Sequence, residues 1–427
     1  MSGMLSIVII TKDTKDLLQQ LLRSIEHDRS LKAFLQETVV IDNASADGTG
    51  DMIGSEFPWT IYIRNDRNRG FAASANQGVD RSTGKYALLL NSDTILIEGE
   101  ITKMLAFMEE REDVGICGPQ LVYPDMRPQR SSASIPSLPT ELLPFRRKPP
   151  ADSNQQTAIS DQPSAVSRQQ TADNRSLGSH CEPEGRGNLT NRIATVAPRD
   201  DSKIPNVEPP IESFEGRHGT LNVEPIPLSG IDVPSIIGAA MMIRKSLFKA
   251  LSGFDEQFFF FLEETDLCLR TTRQSAGSRQ QAVSIIDNRS SIIDETSSQL
   301  SALSSPPDVS PLTPHPSRLT VSNRVVLLPD VRVIHLQGKT VGKNWIKGRI
   351  EYNISLYKFI KKHHSPLYYR TFQAVRFLKS SIVILVLSLL PFLLVGRSTR
   401  RRYIYYWKVL LWHLTACPPT AGLRPPA

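Results

Sequence analysis

Short apolar runs alternate with amphipathic stretches through the first part of the chain. Residues 5–10 form a β-branched run without polar alternation, and residues 17–25 carry leucine and isoleucine at helical spacing. Runs of the first kind are typical of strands buried on both faces of a parallel sheet, and the second kind predicts helices that cover such a sheet. The sequence therefore predicts an α/β fold with a mostly parallel sheet flanked by helices. Further strands are predicted at residues 38–41, 59–64, 86–90, 114–118, 238–244 and 324–334, with further helices from about residue 51 and at residues 71–80 and 101–110.

Two polar stretches interrupt the alternation. Residues 129–231 and 278–322 are rich in polar residues and show no sustained periodicity. Such stretches bury too little apolar surface to offset the entropy lost on ordering, so both are predicted to be disordered insertions. They divide the fold into a first half (residues 1–128), an aromatic and acidic segment (residues 232–277) and a closing strand with its histidine (residues 323–350).

The carboxyl end, residues 351–427, is both basic and apolar. Residues 352–362 predict a basic amphipathic helix, and the almost wholly apolar residues 381–395 precede an arginine-rich stretch. The apolar run is shorter than the ~20 residues that usually span a bilayer, and Pro391 interrupts it. Because cationic flanks and nearby aromatic residues suit a headgroup interface, we predict a membrane-associated tail, held by one marginal span or by a re-entrant or interfacial helix. A buried core helix is the alternative.

Composition narrows the class of protein. Of the 427 residues, 40% are hydrophobic, which is enough to form a proper core. The formal charge of +7 favours an anionic partner such as a nucleotide, a nucleic acid or a lipid surface. The four cysteines are scattered without CxxC spacing, so the sequence indicates neither a zinc site nor a disulfide framework. This use of cysteine is typical of a protein of the reducing cytosol. The first apolar run is too brief for a cleavable leader, which predicts a cytoplasmic amino-terminal half.

Polar clusters follow several of the predicted strands. Ligands of open α/β sheets bind at the carboxyl ends of strands, so these clusters are candidates for chemistry. An enzyme that moves a group off a nucleoside diphosphate needs a residue for the nucleoside, a metal for the leaving diphosphate and a carboxylate that deprotonates the acceptor hydroxyl. Capping turns, a solvated acidic face and a satisfied core histidine are the alternatives. The candidates are Asp42-Asn43 for the nucleoside, Asp93 after Asn91-Ser92 for the metal, Glu263 or Glu264 (near Asp266) for the base, and His335 for a second metal contact.

In their order and spacing, these motifs resemble the inverting glycosyltransferases of family 2, which have the GT-A (Rossmann-like) fold. The similarity is greatest to a rhamnosyltransferase-like branch of cell-surface polysaccharide enzymes. It covers roughly residues 4–128 and 232–345. The residues that carry it are Ser6 to Thr11, Val40 to Thr49, Asn68 to Asn76, Leu90 to Thr94, Gly253 to Glu256, Phe261 to Arg270 and Pro329 to His335.

The resemblance implies a role for each cluster. Asp93 would end a DxD-type motif that coordinates manganese or magnesium, although Asn91 stands in the place of its first aspartate. The catalytic base maps to Glu264, where the family has an aspartate, with Glu263 second and Asp266 completing the acidic motif. The residues expected to bind the nucleotide sugar are Thr11, Asp42, Asn43, Asn68, Gly70, Asn76, Asn91 and Ser92.

The predicted activity is metal-assisted transfer of a hexosyl or rhamnosyl group from a nucleotide-diphosphate sugar to a hydroxyl of a cell-surface polysaccharide or lipid-linked glycan. The enzyme would work at the cytoplasmic face of the membrane, without a nucleic-acid partner. One alternative is a catalytically impaired, membrane-associated nucleotide-sugar binder. A nucleotidyltransferase is the other alternative, but such enzymes usually carry a glycine-rich phosphate loop after the first strand, and residues 11–14 contain no glycine.

Overall fold

The computed structural model of the chain describes residues 3–142, 228–274, 323–336, 345–390 and 396–415, all within one compact unit. The predicted disordered insertions fall largely on residues 143–227 and 275–322, which lie outside the described residues. Residues 129–142 and 228–231, at the edges of the first predicted insertion, are described and ordered against the rest of the fold: residues 138–142 form a short helix, and Ile231 begins a strand. Residues near position 129 bond to the sheet. Gln129, for example, donates its backbone N–H to the Leu121 carbonyl oxygen at 2.7 Å.

The described elements follow the predicted alternation of strands and helices. The strands are β1 (Leu5–Thr11), β2 (Leu35–Asp42), β3 (Ile61–Arg64), β4 (Tyr86–Asn91), β5 (Thr94–Leu96), β6 (Val114–Val122), β7 (Ile231–Asp232), β8 (Ala240–Arg244) and β9 (Arg324–His335). The helices are α1 (Lys15–His27), α2 (Thr49–Glu56), α3 (Phe71–Arg81), α4 (Glu100–Glu110), α5 (Leu138–Leu142), α6 (Lys245–Ala250), α7 (residues 263–274), α8 (Trp345–His363), α9 (Pro366–Leu389) and α10 (Arg397–Leu414).

One sheet runs through the molecule in the order β3-β2-β1-β4-β8-β6-β9-β5, with β7 paired to β9. The first four strands in that order are parallel to one another, as predicted. From β8 onward the sheet is mixed, because β8 is antiparallel to both β4 and β6 whereas β6 and β9 are parallel. The predicted α/β fold class is confirmed. The parallel part of the sheet contains β1, β2 and β4, which precede three of the polar clusters that the sequence marks as candidates.

The sheet is buried on both faces because alternate side chains of each strand point in opposite directions. In β1, Ile7 and Ile9 join a hydrophobic cluster with residues of α1, α2 and α4. Val8 lies between them and joins a second cluster with residues of α3, α6 and α7. All three side chains are fully buried, and each stabilises the fold by roughly 1.5–3 kcal/mol relative to exposure.

The register of the parallel strands aligns their carboxyl ends. Thr11 is the partner of Asp42, and Ile10 is the partner of Asn91. The polar residues that follow β1, β2 and β4 therefore lie at one edge of the sheet, as the strand pattern predicts.

Helix α8 belongs to the same packed unit as the sheet. It begins at Trp345, so it crosses the predicted boundary at residue 350. Its buried Phe359 and Ile360 share a hydrophobic cluster with Phe258 and Leu262, which immediately precede α7. The first helix of the predicted tail is thus part of the core.

Helices α9 and α10 form an antiparallel pair. The hydroxyl oxygens of Ser388 and Tyr403 are 2.9 Å apart, and the rings of Phe377 and His413 are 6.1 Å apart. Among the described helices, α9 is the one long and apolar enough to cross a membrane, with 24 residues and a mean hydropathy of 1.7 in its most apolar window. Only 22% of that window is buried, which leaves most of its apolar surface open.

Candidate active site

A chain of hydroxyl groups connects the ends of β1 and β4. The Thr14 Oγ1 lies 2.8 Å from the Thr11 Oγ1 and 2.8 Å from the Ser92 Oγ. All three side chains are buried. Two of the residues predicted to bind the donor, Thr11 and Ser92, are therefore brought together, with Thr14 as the link between them.

The Asp42 side chain holds the turn after β2. Its Oδ1 accepts from the backbone N–H of Ser45 at 2.9 Å, and its Oδ2 accepts from the hydroxyl of Tyr62 at 2.7 Å. Burial, followed by this hydrogen bond to Asp42, raises the pKa of Tyr62. Because the Asp42 carboxylate is fully buried, it stabilises the turn through these two hydrogen bonds. A direct contact between Asp42 and the nucleoside stays a prediction.

The Asn43 side chain is the centre of a buried hydrogen-bond network. Its Oδ1 accepts from Asn65 Nδ2 at 3.1 Å, from the Arg69 backbone N–H at 3.3 Å and from Ser74 Oγ at 2.8 Å. Its Nδ2 donates to the Gly70 carbonyl oxygen at 3.3 Å. A single amide therefore fastens the loop after β3 and the start of α3 to the end of β2.

Gly70, the residue before α3, has a backbone conformation that requires glycine. Its φ is +83° and its ψ is 177°, a region that side chains exclude. The Asn68 Oδ1 accepts from its backbone N–H at 3.0 Å, and the next residue, Phe71, donates its N–H to the Phe259 carbonyl oxygen at 2.8 Å. The predicted donor-binding loop thus abuts the segment that leads into α7.

The Asn76 amide is used to hold a loop. Its Nδ2 donates to the Phe254 carbonyl oxygen at 2.9 Å and to Glu256 Oε1 at 3.1 Å, and its Oδ1 accepts from the Phe254 N–H at 2.8 Å. These bonds connect α3 with the loop after α6. They support the site from outside, and a direct contact between Asn76 and the donor stays a prediction.

Asp93 and His335 meet where β5 pairs with β9. Thr94 stands opposite His335 in that pairing, and Leu336 donates its backbone N–H to the Asp93 carbonyl oxygen at 2.9 Å. The Asp93 Oδ1 lies 3.5 Å from the His335 Nε2. Both side chains are largely buried. The two predicted metal ligands, 242 positions apart in the chain, are therefore adjacent.

The pair fits two ligands of one divalent ion. A distance of 3.5 Å is too long for a strong hydrogen bond, whereas two ligands that each lie ~2.1 Å from a shared ion are about 3–3.6 Å apart. Among the described residues, no group of three or more His, Cys, Asp or Glu side chains is arranged to hold a metal. The remaining ligands of an ion at this place would have to be oxygens of a diphosphate or of water.

Two carboxylates stand at the start of α7, after strained backbone. Phe261 and Leu262 have φ of 72° and 67°, a left-handed conformation that is rare for bulky residues. Burial and then the charge of Glu264 raise the pKa of Glu263 well above its usual range, and Glu263 Oε2 has no hydrogen-bond partner in the described parts of the chain. Burial also raises the pKa of Glu264, to about 7, against backbone N–H groups at the start of α7 that lower it.

The two residues before β8 adjoin both Glu264 and the end of β4. A Cβ built on Gly238 would lie 3.7 Å from the Cβ and Cγ of Glu264, so the glycine faces that side chain. The next residue, Ala239, accepts a hydrogen bond from the Asn91 N–H at 3.0 Å. Glu264 and the end of β4 are therefore neighbours of the same short segment.

Asp266 occupies a different environment from the two glutamates. Its fully buried carboxylate is paired with Arg270 at 2.8 Å, Lys362 at 2.8 Å and His363 at 2.7 Å. Hydrogen bonds from His363 and Lys362, together with Arg270, lower its pKa to about 2 despite burial. The Asp266 carboxylate, paired with three basic side chains, therefore connects α7 with α8. The catalytic role of Asp266 stays a prediction.

Sequence reasoning missed three residues around the site. Tyr62 supports Asp42, Thr14 links the two strand ends, and Gln129 accepts from the His335 ring at 3.0 Å. Thr14 and Tyr62 lie beside predicted elements but carry no motif. Gln129 falls inside a polar stretch that favours disorder, so no local signal points to it.

Comparison with known proteins finds a family match over the first part of the chain. Residues 6–171 match the family model described as Glycosyl transferase family 2. The match includes the ends of β1, β2 and β4 and stops before the acidic start of α7. The chain therefore carries a match to the family's domain over its first part.

Curated relatives cover short regions of the chain. An uncharacterized glycosyltransferase, MJ1057, of Methanocaldococcus jannaschii is 36% identical over 56 residues, which is 13% of this chain and 19% of that protein. The succinoglycan biosynthesis protein ExoO of Rhizobium meliloti is 29% identical over 132 residues, 29% of this chain and 37% of ExoO. The chain thus spans well under half the length of these relatives. Among solved structures, this chain is similar to the mannosyltransferase PcManGT from Pyrobaculum calidifontis in complex with GDP-Man and Mn²⁺. The superposition covers 97% of this chain and 88% of PcManGT, with a TM-score of 0.44 and 11% sequence identity.

Proposed function

We propose that the protein is an inverting, metal-assisted glycosyltransferase that moves a hexosyl or rhamnosyl group from a nucleotide-diphosphate sugar to an acceptor hydroxyl. The observation that supports it best is that Asp93 and His335 meet just after β4, and that the last residue of β4 bonds to Ala239, next to the Gly238 that faces Glu264. Asp93 and His335 form a pair suited to a divalent ion, and Glu264 is a carboxylate suited to proton transfer. The family match over residues 6–171 supports the same class of reaction.

In the proposed reaction, Glu264 takes the proton of the acceptor hydroxyl while the hydroxyl oxygen forms a bond to the anomeric carbon. The bond between that carbon and the diphosphate breaks in the same step, and its electron pair leaves on the diphosphate oxygen. One displacement from the opposite side inverts the anomeric configuration. A manganese or magnesium ion held by Asp93 and His335 would supply positive charge for the departing diphosphate.

Glu264 is the better candidate for the base than Glu263. A general base works best when its pKa is close to the operating pH, and burial raises the pKa of Glu264 to about 7. Glu263 is 4% exposed, and burial, followed by the negative charges of Glu264 and Glu351, raises its pKa well above its usual range. Burial also makes it less accessible to an acceptor. Its proposed contribution is to shape the start of α7.

The donor is proposed to lie across the ends of β1, β2 and β4. Thr11 and Ser92 would face its nucleoside and diphosphate from the hydroxyl chain, and the loop fastened by Asn43 would close over the sugar. The remaining residues proposed for the donor are Asp42, Asn68, Gly70, Asn76 and Asn91.

We further propose that α9 and α10 attach the enzyme to the cytoplasmic face of a membrane. Both helices expose large apolar side chains at helical spacing, and Arg400, Arg401 and Arg402 beside them are exposed. An apolar face with neighbouring cations fits an anionic lipid surface, where arginine heads stay among the phosphates. The exposed apolar residues are Leu367, Phe377, Leu378, Ile382, Leu385, Val386 and Leu389 on α9, and Ile404, Trp407, Leu411 and Leu414 on α10.

A lipid-linked or cell-surface glycan acceptor follows from this attachment. The helices that carry the exposed apolar face share a hydrophobic cluster with Leu262, one residue before Glu263, through Phe372 and Trp412. The base would therefore stand close to the lipid surface where such an acceptor resides. The name of the relative ExoO, a succinoglycan biosynthesis protein, is in keeping with a polysaccharide product.

Calorimetry with a panel of nucleoside diphosphates and nucleotide sugars, with and without manganese, tests the function. We expect binding by one nucleotide class that depends on manganese and is lost in Asp93→Ala, whereas the control Asp51→Ala, on the exposed surface of α2, binds as the wild type does. Incubation of the bound donor with acceptor lipids should then give a product of inverted configuration by NMR. Binding without transfer to any acceptor would favour the impaired binder, and absence of binding by the folded protein would refute the proposal.

A further inference from the structure

We propose that Gln129 is a positioning residue that fixes the tautomer and orientation of the His335 ring, so that Nε2 presents its lone pair beside Asp93. The inference deepens the proposed function, because it rests on His335 acting as a metal ligand. Gln129 is 7% exposed and lies on the side of the ring away from Asp93.

The orientation of the Gln129 amide is determined by two carbonyl groups. Its Nε2 donates to the His335 carbonyl oxygen at 2.6 Å and to the Val122 carbonyl oxygen at 3.2 Å. Both carbonyls can only accept, so the amide atom that faces them must be the NH₂ group. The other amide atom, Oε1, consequently faces the ring of His335.

The amide orientation then sets the histidine tautomer. Gln129 Oε1 lies 3.0 Å from His335 Nδ1, and an amide oxygen cannot donate a proton. Nδ1 must therefore carry the hydrogen, which leaves the lone pair of the neutral ring on Nε2, 3.5 Å from Asp93 Oδ1. Metal-binding histidines commonly donate their second ring N–H to an oxygen in this way, which fixes the ring and makes it a better ligand.

The position of Gln129 in the fold does not depend on its side chain. Its backbone N–H donates to the Leu121 carbonyl oxygen at 2.7 Å, and its own carbonyl accepts from Gln120 Nε2 at 2.6 Å. A Gln129→Leu variant keeps these backbone bonds. Gln120→Leu is a stringent control. It removes the bonds from Gln120 to Leu121, Gln129 and Ser131, one of which holds the Gln129 backbone, but it leaves the Gln129 side chain facing His335.

The test is ¹⁵N NMR of the full chain with labelled histidine, in which His335→Gln assigns the signal among the eight histidines. At a pH high enough for neutral imidazole rings, the wild type and Gln120→Leu should carry the His335 proton on Nδ1, whereas Gln129→Leu and the unbranched Gln129→Met should show a mixture of tautomers. Binding of Mn²⁺ alone, followed by water-proton relaxation, should weaken about 10–100-fold in both Gln129 variants and little in the control.

The outcomes separate this inference from the proposed function. A wild-type ring with its proton on Nε2, or an unchanged ring in both Gln129 variants, would overturn the role of Gln129. If neither variant folded by circular dichroism, the wild-type tautomer alone would decide the matter. A wild type with the expected tautomer that fails to bind Mn²⁺ would support the positioning of His335 and count against the metal-assisted reaction.

Discussion

The Cβ position of Gly70 lies 2.4 Å from the carbonyl oxygen of Phe259, so no side chain fits between the start of α3 and the segment that precedes α7. These two segments carry the predicted donor-binding loop and the proposed base, respectively. Their backbones are bonded directly, because Phe71 donates its N–H to the same carbonyl, and the Phe71 ring packs against the ring of Phe260 at 6.5 Å. The two halves of the candidate site are therefore assembled by a contact that only glycine permits.

Gly70→Ala is expected to destabilise the protein by roughly 3 kcal/mol or more, since it adds an overlap to a backbone conformation that alanine avoids. Gly99→Ala is the control for a positive φ alone. Gly99 has φ of +82° and ψ of −14°, and nothing lies within 4 Å of its Cβ position. Urea unfolding followed by circular dichroism should show a much larger loss for the first variant, because the ψ of 177° at Gly70 and the overlap with Phe259 both add to the positive φ. Equal losses would mean that the positive φ alone determines the effect.

The proposed base predicts how the rate depends on pH. Because Glu264 acts when it has lost its proton and its pKa is raised to about 7, kcat/KM should rise with pH up to about 7 and then level off. Glu264→Gln should lower the rate by about 10²–10⁴-fold and remove this dependence. Glu263→Gln should retain both most of the activity and the dependence on pH. Transfer assays from pH 5 to 9 check this prediction. A Glu264→Gln variant with an unchanged rate would refute the assignment of Glu264 as the base.

The same pKa shift predicts a change in stability. The folded protein holds the Glu264 proton more tightly than the unfolded chain does, so the contribution of this group to stability falls as the pH rises from about 4.5 to about 7. The unfolding free energy of the wild type should therefore lose more over this range than that of Glu264→Gln. Urea titrations at a series of pH values measure the difference, and parallel curves would contradict it.

Asp266→Asn should destabilise the protein by about 3–5 kcal/mol, because it leaves Arg270, Lys362 and His363 around an uncharged group in the core. For the wild type, the carboxylate with pKa about 2 contributes stability that is present above pH 4 and is lost as the pH falls towards 2. Glu56→Gln, which breaks an exposed pair with Arg23, should change little. Urea unfolding of the wild type and the two variants measures these differences in free energy. A loss in Asp266→Asn as small as that in Glu56→Gln would mean that the Asp266 pairs contribute little to stability.

The exposed apolar face of α9 should determine binding to lipid. Leu385→Glu with Leu389→Glu is expected to reduce binding to anionic vesicles at least about tenfold, since each leucine loses its apolar burial. Replacing Arg400, Arg401 and Arg402 by glutamine should cost about 1 kcal/mol per residue and weaken the dependence on salt. Ile231→Glu, an exposed apolar residue on β7, is the control. Flotation with vesicles measures each variant, and unchanged flotation of the double variant would exclude α9 as the attachment.

The sequence predicts best what depends on neighbouring residues. The runs at residues 5–10 and 86–90 are apolar throughout and end in polar residues, so both the strands and the edge that gathers their ends could be foreseen. β5 has only three residues, too few to show a period, and was not predicted. Gln129 and His335 are 206 positions apart, and Asp266 and His363 are 97 apart. Such contacts arise only when the fold is complete, and no local pattern encodes them.

The hydrophobic cluster that joins Leu262, Phe359, Phe372 and Trp412 has a practical consequence for anyone who wishes to prepare the protein in water. Trimming the chain before α9 or α10 would remove buried side chains that lie against the segment carrying the proposed base, so a shortened chain should aggregate or lose the site. Exchanging only the outward-facing leucines and isoleucines of these helices for polar residues keeps the inner side intact. Surface redesign, and not truncation, is therefore the route to a soluble form of this protein.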